Sequence, residues 1–318
     1  MKARGAPCSS SPREKLTFSN CLHRIASSEF KTFTTSKLPV KEIELDSYIN
    51  GNILYSEGKS LKTSNGSATQ ELLSLQYDIG DFTQISATEV VYSLTARHCL
   101  LVFDRVTKSN TRFAGSCGSF GYRDGNSGMF NAPLSVEKGT KDSDVLFVVD
   151  KYNHAIRRVA ITDKSINTLT SLGNFPTVAS LVQEEASGDI LMLSGHQVIR
   201  IRYRSHSIEV VAGSPAASYK DGSFHRALFN SPSDITQIGP ETFLIADEGN
   251  DRIRILDFDS KTASTLKVQT ADCGVQAASS FAVLQSCADL KRPSSLLVTN
   301  SSMFVKSSGE ILHGMYSY

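Results

Sequence analysis

The chain of 318 residues has no tryptophan, almost no net charge and no apolar run long enough to cross a membrane. A bilayer-spanning helix needs about 20 predominantly apolar residues, so we expect no membrane span within this chain. Lys and Arg total 33, and Asp and Glu total 32. Proteins that bind nucleic acid neutralise its phosphates with clustered cations, so this balance argues against nucleic acid as a partner.

The sequence also lacks the motifs of common enzymes. It has no G-x-S-x-G nucleophile elbow, no H-E-x-x-H zinc motif, no P-loop and no G-x-G-x-x-G. Its cysteines form no C-x-x-C pair, so they do not have zinc-site spacing. We therefore predict no cofactor, no resident metal and no catalytic residue.

Six cysteines are nevertheless present, at positions 8, 21, 99, 117, 273 and 287. Cys273 and Cys287 bracket a short segment and could close it as a disulfide. Two reduced thiols are the alternative at this point. If the protein is secreted, we expect the disulfide between Cys273 and Cys287.

The strongest signal is an internal repeat. One copy reads FAGSCGSFGYRDGNSGMFNAP and then VLFVVDKYNHAIRRV; the second reads VAGSPAASYKDGSFHRALFNSP and then TFLIADEGNDRIRIL. The shared positions keep a constant offset of 97 residues (219 minus 122), as follows: Tyr122, Asp124, Gly125, Asp150, Asn153 and Arg157 in the first copy, and Tyr219, Asp221, Gly222, Asp247, Asn250 and Arg254 in the second. The segment GDILMLSGHQVIRIRYRSHSIEVVAGS between them is a degenerate copy, so the offset spans two units.

The combination of Y-x-D-G, F-N-x-P and D-x-x-N-x-x-I-R resembles the NHL repeat, whose units are four-stranded blades of a β-propeller. The resemblance implies an all-β fold, a six-bladed β-propeller of four-stranded antiparallel blades. Counting units predicts a last blade that is one strand short and is closed by an N-terminal strand, FKTFTTS (30–36). We expect residues 1–28 to form a disordered basic leader and residues 29–318 to form the propeller.

The chemistry of the motif predicts structural roles for its residues. Asp-Gly pairs form turns, because Gly accepts a positive φ and Asp accepts hydrogen bonds from backbone N–H groups. The Asp and Asn of D-x-x-N are expected to hold the turn between the second and third strands. A folding motif repeats one group in every unit, whereas a catalytic site brings different groups together.

Two further sets of residues could have a functional role, one as metal ligands and one as an RNA-binding face. His98, His154 and His196 occupy equivalent turns in successive units and could converge as metal ligands, although a structural turn position is the favoured interpretation. Arg200, Arg202 and Arg204 alternate along a predicted third strand and could form a basic face for RNA. The favoured interpretation is that they pair with carboxylates on the outside of the blade.

The favoured function is therefore a non-catalytic binding scaffold that presents the loops of one propeller face to a protein or glycan partner. The alternatives are an RNA-binding NHL domain and a metal-dependent hydrolase or lyase of the propeller class, because the family includes RNA binders, protein-binding ectodomains and a few enzymes. The potential disulfide and the resemblance to NHL ectodomains favour an extracellular location. A cytoplasmic location stays open.

Overall fold

The computed structural model describes residues 43–49, 52–64, 68–173, 175, 178–266, 290–298, 302–307 and 310–315. These residues form 24 β-strands in six antiparallel sheets, together with three short 3-10 turns. The described residues contain no helix long and apolar enough to cross a membrane. The expected all-β fold is confirmed.

The first three sheets each have four strands in simple up-and-down order. Blade 1 consists of β1 (Ile43–Ile49), β2 (Asn52–Glu57), β3 (Ser60–Ser64) and β4 (Thr69–Ser74). Blade 2 consists of β5 (Phe82–Gln84), β6 (Glu89–Leu94), β7 (Cys99–Asp104) and β8 (Asn110–Gly115). Blade 3 consists of β9 (Pro133–Lys138), β10 (Val145–Asp150), β11 (Ala155–Ala160) and β12 (Ile166–Ser171).

The second half of the chain continues the pattern. Blade 4 consists of β13 (Val178–Gln183), β14 (Ile190–Ser194), β15 (Gln197–Ile201) and β16 (Ile208–Gly213). Blade 5 consists of β17 (Gly222–Ser223), β18 (Pro232–Gly239), β19 (Thr242–Asp247), β20 (Arg252–Asp257) and β21 (Thr262–Thr265). Blade 6 consists of β22 (Pro293–Val298), β23 (Ser302–Ser307) and β24 (Glu310–Met315).

The innermost strands of the blades form a closed ring. These are the first strand of each blade, except in blade 5, where β18 takes this position. Each contacts the innermost strand of the next blade, and β22 contacts β1. The prediction of six four-stranded blades is right for the five sheets that have at least four strands, and the sixth shows three strands within the described residues. The predicted closing strand 30–36, the predicted leader 1–28, and Cys273 and Cys287 lie outside the described residues.

The core lies between neighbouring blades. The second strand of blade 3, β10, is buried at every residue because both of its faces pack against adjacent sheets. Clusters of aliphatic and aromatic side chains fill the spaces between blades 1 and 2, 2 and 3, 3 and 4, 4 and 5, and 5 and 6. Continuous apolar runs such as VLFVVD therefore reflect burial on two faces.

Candidate functional site

In blade 3, the repeated motif forms a hydrogen-bond network around a buried ion pair. Asp150 is the last residue of β10 and accepts hydrogen bonds from the Asn131 N–H at 2.7 Å, from Asn153 Nδ2 at 2.8 Å and from Arg157 Nη1 at 2.6 Å. The side chains of Asp150 and Arg157 are both 0% exposed. A buried charge is tolerated only when it is paired and hydrogen-bonded, and both conditions hold here.

The same arginine also holds the Asp-Gly turn. Arg157 Nη2 donates to Asp124 Oδ1 at 2.6 Å, and Asp124 also accepts from the backbone N–H of Thr168 at 3.1 Å. Burial alone would raise the pKa of Asp124, but hydrogen bonds from Thr168 and Arg157 lower it below its usual value. Gly125 has a φ of 91°, and the Tyr122 ring lies over the Arg157 guanidinium at 4.9 Å.

Blade 5 repeats this network. Arg254 donates to Asp247 at 2.8 Å and to Asp221 at 2.7 Å, and Asn250 donates to Asp247 at 2.8 Å. Tyr219 lies over Arg254 at 5.0 Å. The Gly222 φ is 140°, and its short strand β17 pairs with β21. The twelve motif residues therefore lie in two separate networks, one in blade 3 and one in blade 5.

The three histidines do not come together. His98 Nδ1 accepts the N–H of Ala132 at 3.0 Å, and His196 Nδ1 accepts the N–H of Ser231 at 2.9 Å, in each case joining one blade to the next. His154 occupies the equivalent left-handed position after the 3-10 turn Lys151–Asn153. No group of three or more His, Cys, Asp or Glu residues is placed to hold a metal ion in the part of the chain that the structure describes.

An aspartate makes the same inter-blade contact between blades 5 and 6. Asp251 Oδ1 accepts the N–H of Arg292 at 2.7 Å. Each residue that donates in this way precedes the proline of a first strand and has a positive φ: Ala132 58°, Ser231 49° and Arg292 47°. Because this backbone region is unfavourable for non-glycine residues, the inter-blade hydrogen bond helps to hold it.

The predicted arginine stripe is interrupted. Strand β15 ends at Ile201, so Arg202 and Arg204 lie beyond it, and the expectation of three arginines alternating along one strand is wrong. Arg202 donates to Asp189 at 3.0 Å and to Glu209 at 2.8 Å. Arg200 lies over the Phe258 ring at 4.4 Å. Arg202 is therefore paired with two carboxylates, and Arg200 is packed on an aromatic ring.

A polar cavity of about 250 Å³ lies among the first strands of blades 2 to 6, at the centre of the ring. Asp81 accepts hydrogen bonds from Ser135 Oγ and from the Val136 N–H, both at 2.9 Å. Burial raises the pKa of Asp81 to about 6, although these bonds and a third from the Phe82 N–H oppose the rise. Asp81 therefore joins blade 2 to blade 3.

A second carboxylate, which is half-buried, lines the same cavity from blade 5. Asp234 accepts from Ser180 Oγ of blade 4 at 2.7 Å and from the Leu296 N–H of blade 6 at 2.7 Å. Burial is the main cause that raises its pKa to about 7, and the nearby Asp81 carboxylate adds to the rise. Asp234 thus links three successive blades through one side chain.

Sequence reasoning missed these two aspartates because the residue at this position varies between blades. Asp234 stands two residues after the proline of its strand, where blades 3 and 6 have Ser135 and Ser295. A search for Asp or Ser at a fixed distance after that proline would have found the position in these three blades, but not in blade 2, where Asp81 has no such proline.

A larger cavity is a cleft of about 690 Å³ on the face where second strands turn into third strands. We call it the aromatic cleft. Its lining comes from blades 1, 2 and 3 and from the β4–β5 connection: Ser56, Lys59, Gln76, Tyr77, Asp78, Ile79, Gly80, Thr95, Ala96, His98, Ala132, Leu134 and Tyr152. Gly80 and Leu134 also line the central cavity, so the cleft adjoins it.

One exposed ring lines the aromatic cleft, and a second packs on His98, which also lines it. Tyr152, in the 3-10 turn of blade 3, is 59% exposed and has Lys151 Nζ 5.3 Å from its ring centroid. Phe120, on the loop between blades 2 and 3, is 68% exposed, and its ring lies 5.6 Å from the ring of His98. Within the wall, the guanidinium of Arg97 lies over the Tyr77 ring at 5.1 Å.

A disulfide holds the Phe120 loop in place. Cys117 in this loop is bonded to Cys99, the first residue of β7 and the neighbour of His98. The N–H of Gly118 also donates to the carbonyl of Arg97 at 2.8 Å. Sequence reasoning missed this pairing, because disulfide connectivity does not follow from cysteine positions alone.

No protein-family model and no curated protein matches the chain. Solved structures do resemble it. A protein of unknown function from Bacteroides thetaiotaomicron has a TM-score of 0.66 at 17% identity, over 89% of this chain and 72% of that one. An auxiliary nutrient binding protein from the same organism has a TM-score of 0.65 at 12% identity, over 86% of this chain and 68% of that one.

An enzyme also shares the fold. Selenomethionine-substituted virginiamycin B lyase from Staphylococcus aureus has a TM-score of 0.58 at 11% identity, over 89% of this chain and 97% of that one. Identities this low show a common fold and carry no activity from one protein to another. The propeller is thereby supported, whereas membership of the NHL family is not confirmed.

Proposed function

We infer that the chain is a non-catalytic binding scaffold and that its partner binds in the aromatic cleft. The observation that carries this proposal is an open cleft of about 690 Å³ that is lined by the exposed ring of Tyr152 and by His98, on which the exposed ring of Phe120 packs. Binding sites for small ligands typically have volumes of about 300–1,000 Å³, and exposed aromatic side chains dominate many recognition surfaces. In propellers the loops can vary while the blades hold them rigidly.

The wall of the cleft is well suited to a preformed site. The Cys99–Cys117 disulfide and the His98–Ala132 hydrogen bond hold its elements together across the boundary between blades 2 and 3. A rigid site loses little conformational entropy when a ligand binds. The disulfide also favours an oxidising compartment, and hence an extracellular location, for this proposed function.

Two unbiased screens test the proposal. The full chain is screened against an array of defined glycans and a display library of random peptides. We expect at least one class to yield a ligand whose binding is lost in Tyr152→Ala. A uridine oligonucleotide should not bind, because Asp78 balances Lys59 and the lining of the cleft therefore has no net positive charge to hold phosphates.

Val106→Ala is the matched control. Val106 is 72% exposed and lies after β7, at the end of blade 2 opposite the turn Thr95–Arg97 that precedes β7. The Val106→Ala variant should therefore bind ligand like the wild type. The proposal is wrong if both screens yield nothing, or if every ligand found binds Tyr152→Ala as tightly as it binds the wild type.

A further inference from the structure

The exposed rings of the aromatic cleft offer flat platforms to a ligand. Tyr152 lies in a 3-10 turn with the Lys151 ammonium over one face of its ring, and Phe120 packs on the His98 ring, while much of each side chain faces solvent. A ring that is half covered by protein can stack on an apolar ligand surface with little loss of side-chain entropy. The cleft therefore selects a ligand with at least one flat apolar face.

The polar groups of the cleft require a ligand rich in hydrogen-bonding groups. Lys59, Gln76 and Asp78 are exposed, and within the described residues their side chains make no hydrogen bond or ion pair. Lys donates, a carboxylate accepts and an amide does both. A ligand that covered these three groups without bonding to them would leave desolvated polar atoms unpaired, which is costly.

The charges of the cleft favour a neutral ligand. Among its lining side chains, the ammonium of Lys59 and the carboxylate of Asp78 balance each other, and the nearby cations of Arg97 and Lys151 lie over the Tyr77 and Tyr152 rings. A phosphate chain would find no net positive charge among these lining side chains, and a hydrophobic peptide anchor would bury the three polar groups without partners. A sugar ring combines an apolar C–H face with a rim of hydroxyl groups that both donate and accept.

Resting on the proposed function, we propose that the aromatic cleft binds a neutral oligosaccharide. Sugar rings stack with their C–H faces on Tyr152 and Phe120. Their hydroxyl groups donate to Asp78, accept from Lys59, and do both with Gln76. The Cys99–Cys117 disulfide keeps the Phe120 platform in register with the polar groups.

The intact chain is tested by saturation-transfer NMR and calorimetry against neutral hexaoses of β-1,4-glucan, β-1,4-mannan, β-1,3-glucan and α-1,4-glucan, with a uronic-acid oligomer as the charged comparison. At least one neutral hexaose is expected to receive saturation at its C–H protons and to bind more tightly than the charged oligomer. Tyr152→Ala weakens binding about tenfold or more, which corresponds to the loss of one stacking contact. Tyr152→Phe keeps most of the affinity, since the ring remains.

Two further variants test the predicted hydrogen bonds to the sugar hydroxyl groups. Asp78→Ala and Gln76→Ala reduce affinity while leaving the melting temperature unchanged, because both side chains are exposed. Val106→Ala binds like the wild type. Absence of binding by every neutral hexaose, or binding that does not depend on Tyr152, overturns the oligosaccharide proposal. If peptides from the library bind in a Tyr152-dependent way while the sugars do not, the binding scaffold stands and only the ligand class is wrong.

Discussion

Asp81 and Asp234 face the same central cavity from blades three positions apart in the ring, and each accepts three hydrogen bonds, two of them from outside its own blade. The two carboxylates thus act as inter-blade contacts. Burial raises the pKa of Asp81 to about 6 and of Asp234 to about 7, from an ordinary value of 3.8. The stability of the propeller is therefore linked to pH near neutrality.

The direction of this linkage gives the first prediction. A folded-state pKa above the unfolded value means that the folded protein binds more protons, so stability falls as pH rises. The contribution of the two groups is complete below about pH 4 and is lost as pH rises through about 6 and 7. Urea unfolding at pH 5 and pH 8.5 should show a decrease on the order of 3–4 kcal/mol in the free energy of unfolding.

Asp234→Asn should flatten this pH profile because the side chain can no longer ionise. The variant should also be less stable than the wild type at pH 5, since the amide nitrogen cannot accept a hydrogen bond from the Leu296 N–H. Asp259→Asn, at an exposed position, is the control and should keep the wild-type profile. An unchanged slope in Asp234→Asn would show that Asp234 is ionised throughout this range.

The second prediction concerns the buried ion pairs. Asp150→Ala leaves the Arg157 guanidinium buried beside an empty site, and such a change costs about 3–5 kcal/mol. Asp247→Ala should have the same effect through Arg254. Asp124→Ala should cost less, about 1–2 kcal/mol, since Asp124 is half exposed. Thermal and urea unfolding measure these differences.

Ligand binding in these variants should weaken only as far as the folded fraction falls. Binding is therefore measured well below each melting temperature. A variant of Asp150 that melts like the wild type and yet loses binding would place this carboxylate in the functional site.

The third prediction distinguishes structural histidines from metal ligands. His196→Ala should lower stability by about 1 kcal/mol, because the Ser231 N–H loses its acceptor. His196→Asp should retain most of the stability, since Asp251 makes the equivalent contact between blades 5 and 6. A chelator should leave the melting temperature of the wild type unchanged, and a clear decrease would support a bound metal.

The fourth prediction concerns the disulfide. Cys99 and Cys117 are 18 residues apart, and closing a loop of this size stabilises a folded chain by about 3 kcal/mol in the chain-entropy view. Dithiothreitol should therefore lower the melting temperature and weaken binding in the aromatic cleft. The variant with both Cys99→Ala and Cys117→Ala should already show both losses. If reductant destabilises that variant as much as it does the wild type, another disulfide is responsible.

The fold and the two motif networks could be predicted from the sequence because they are repeated and local. Each network joins residues of a single loop and blade, so Asp150, Asn153 and Arg157 recur with the same spacing as Asp247, Asn250 and Arg254. Apolar runs between turn residues were enough to place most of the strands. The 97-residue offset predicts six four-stranded blades, whereas in the described residues five sheets have four or more strands and the sixth has three.

Only the tertiary structure decided which distant residues meet. The central cavity joins Asp81 to Asp234, and the aromatic cleft joins Lys59, Asp78 and Tyr152, across blades that share little sequence at these positions. The same holds for the pairing of Cys99 with Cys117. Rotation about the propeller axis repeats equivalent turns from blade to blade, so a repeated sequence pattern identifies the residues that each blade has in common. A site built from unlike loops has no such pattern. Its residues come together only because the blades close into a ring.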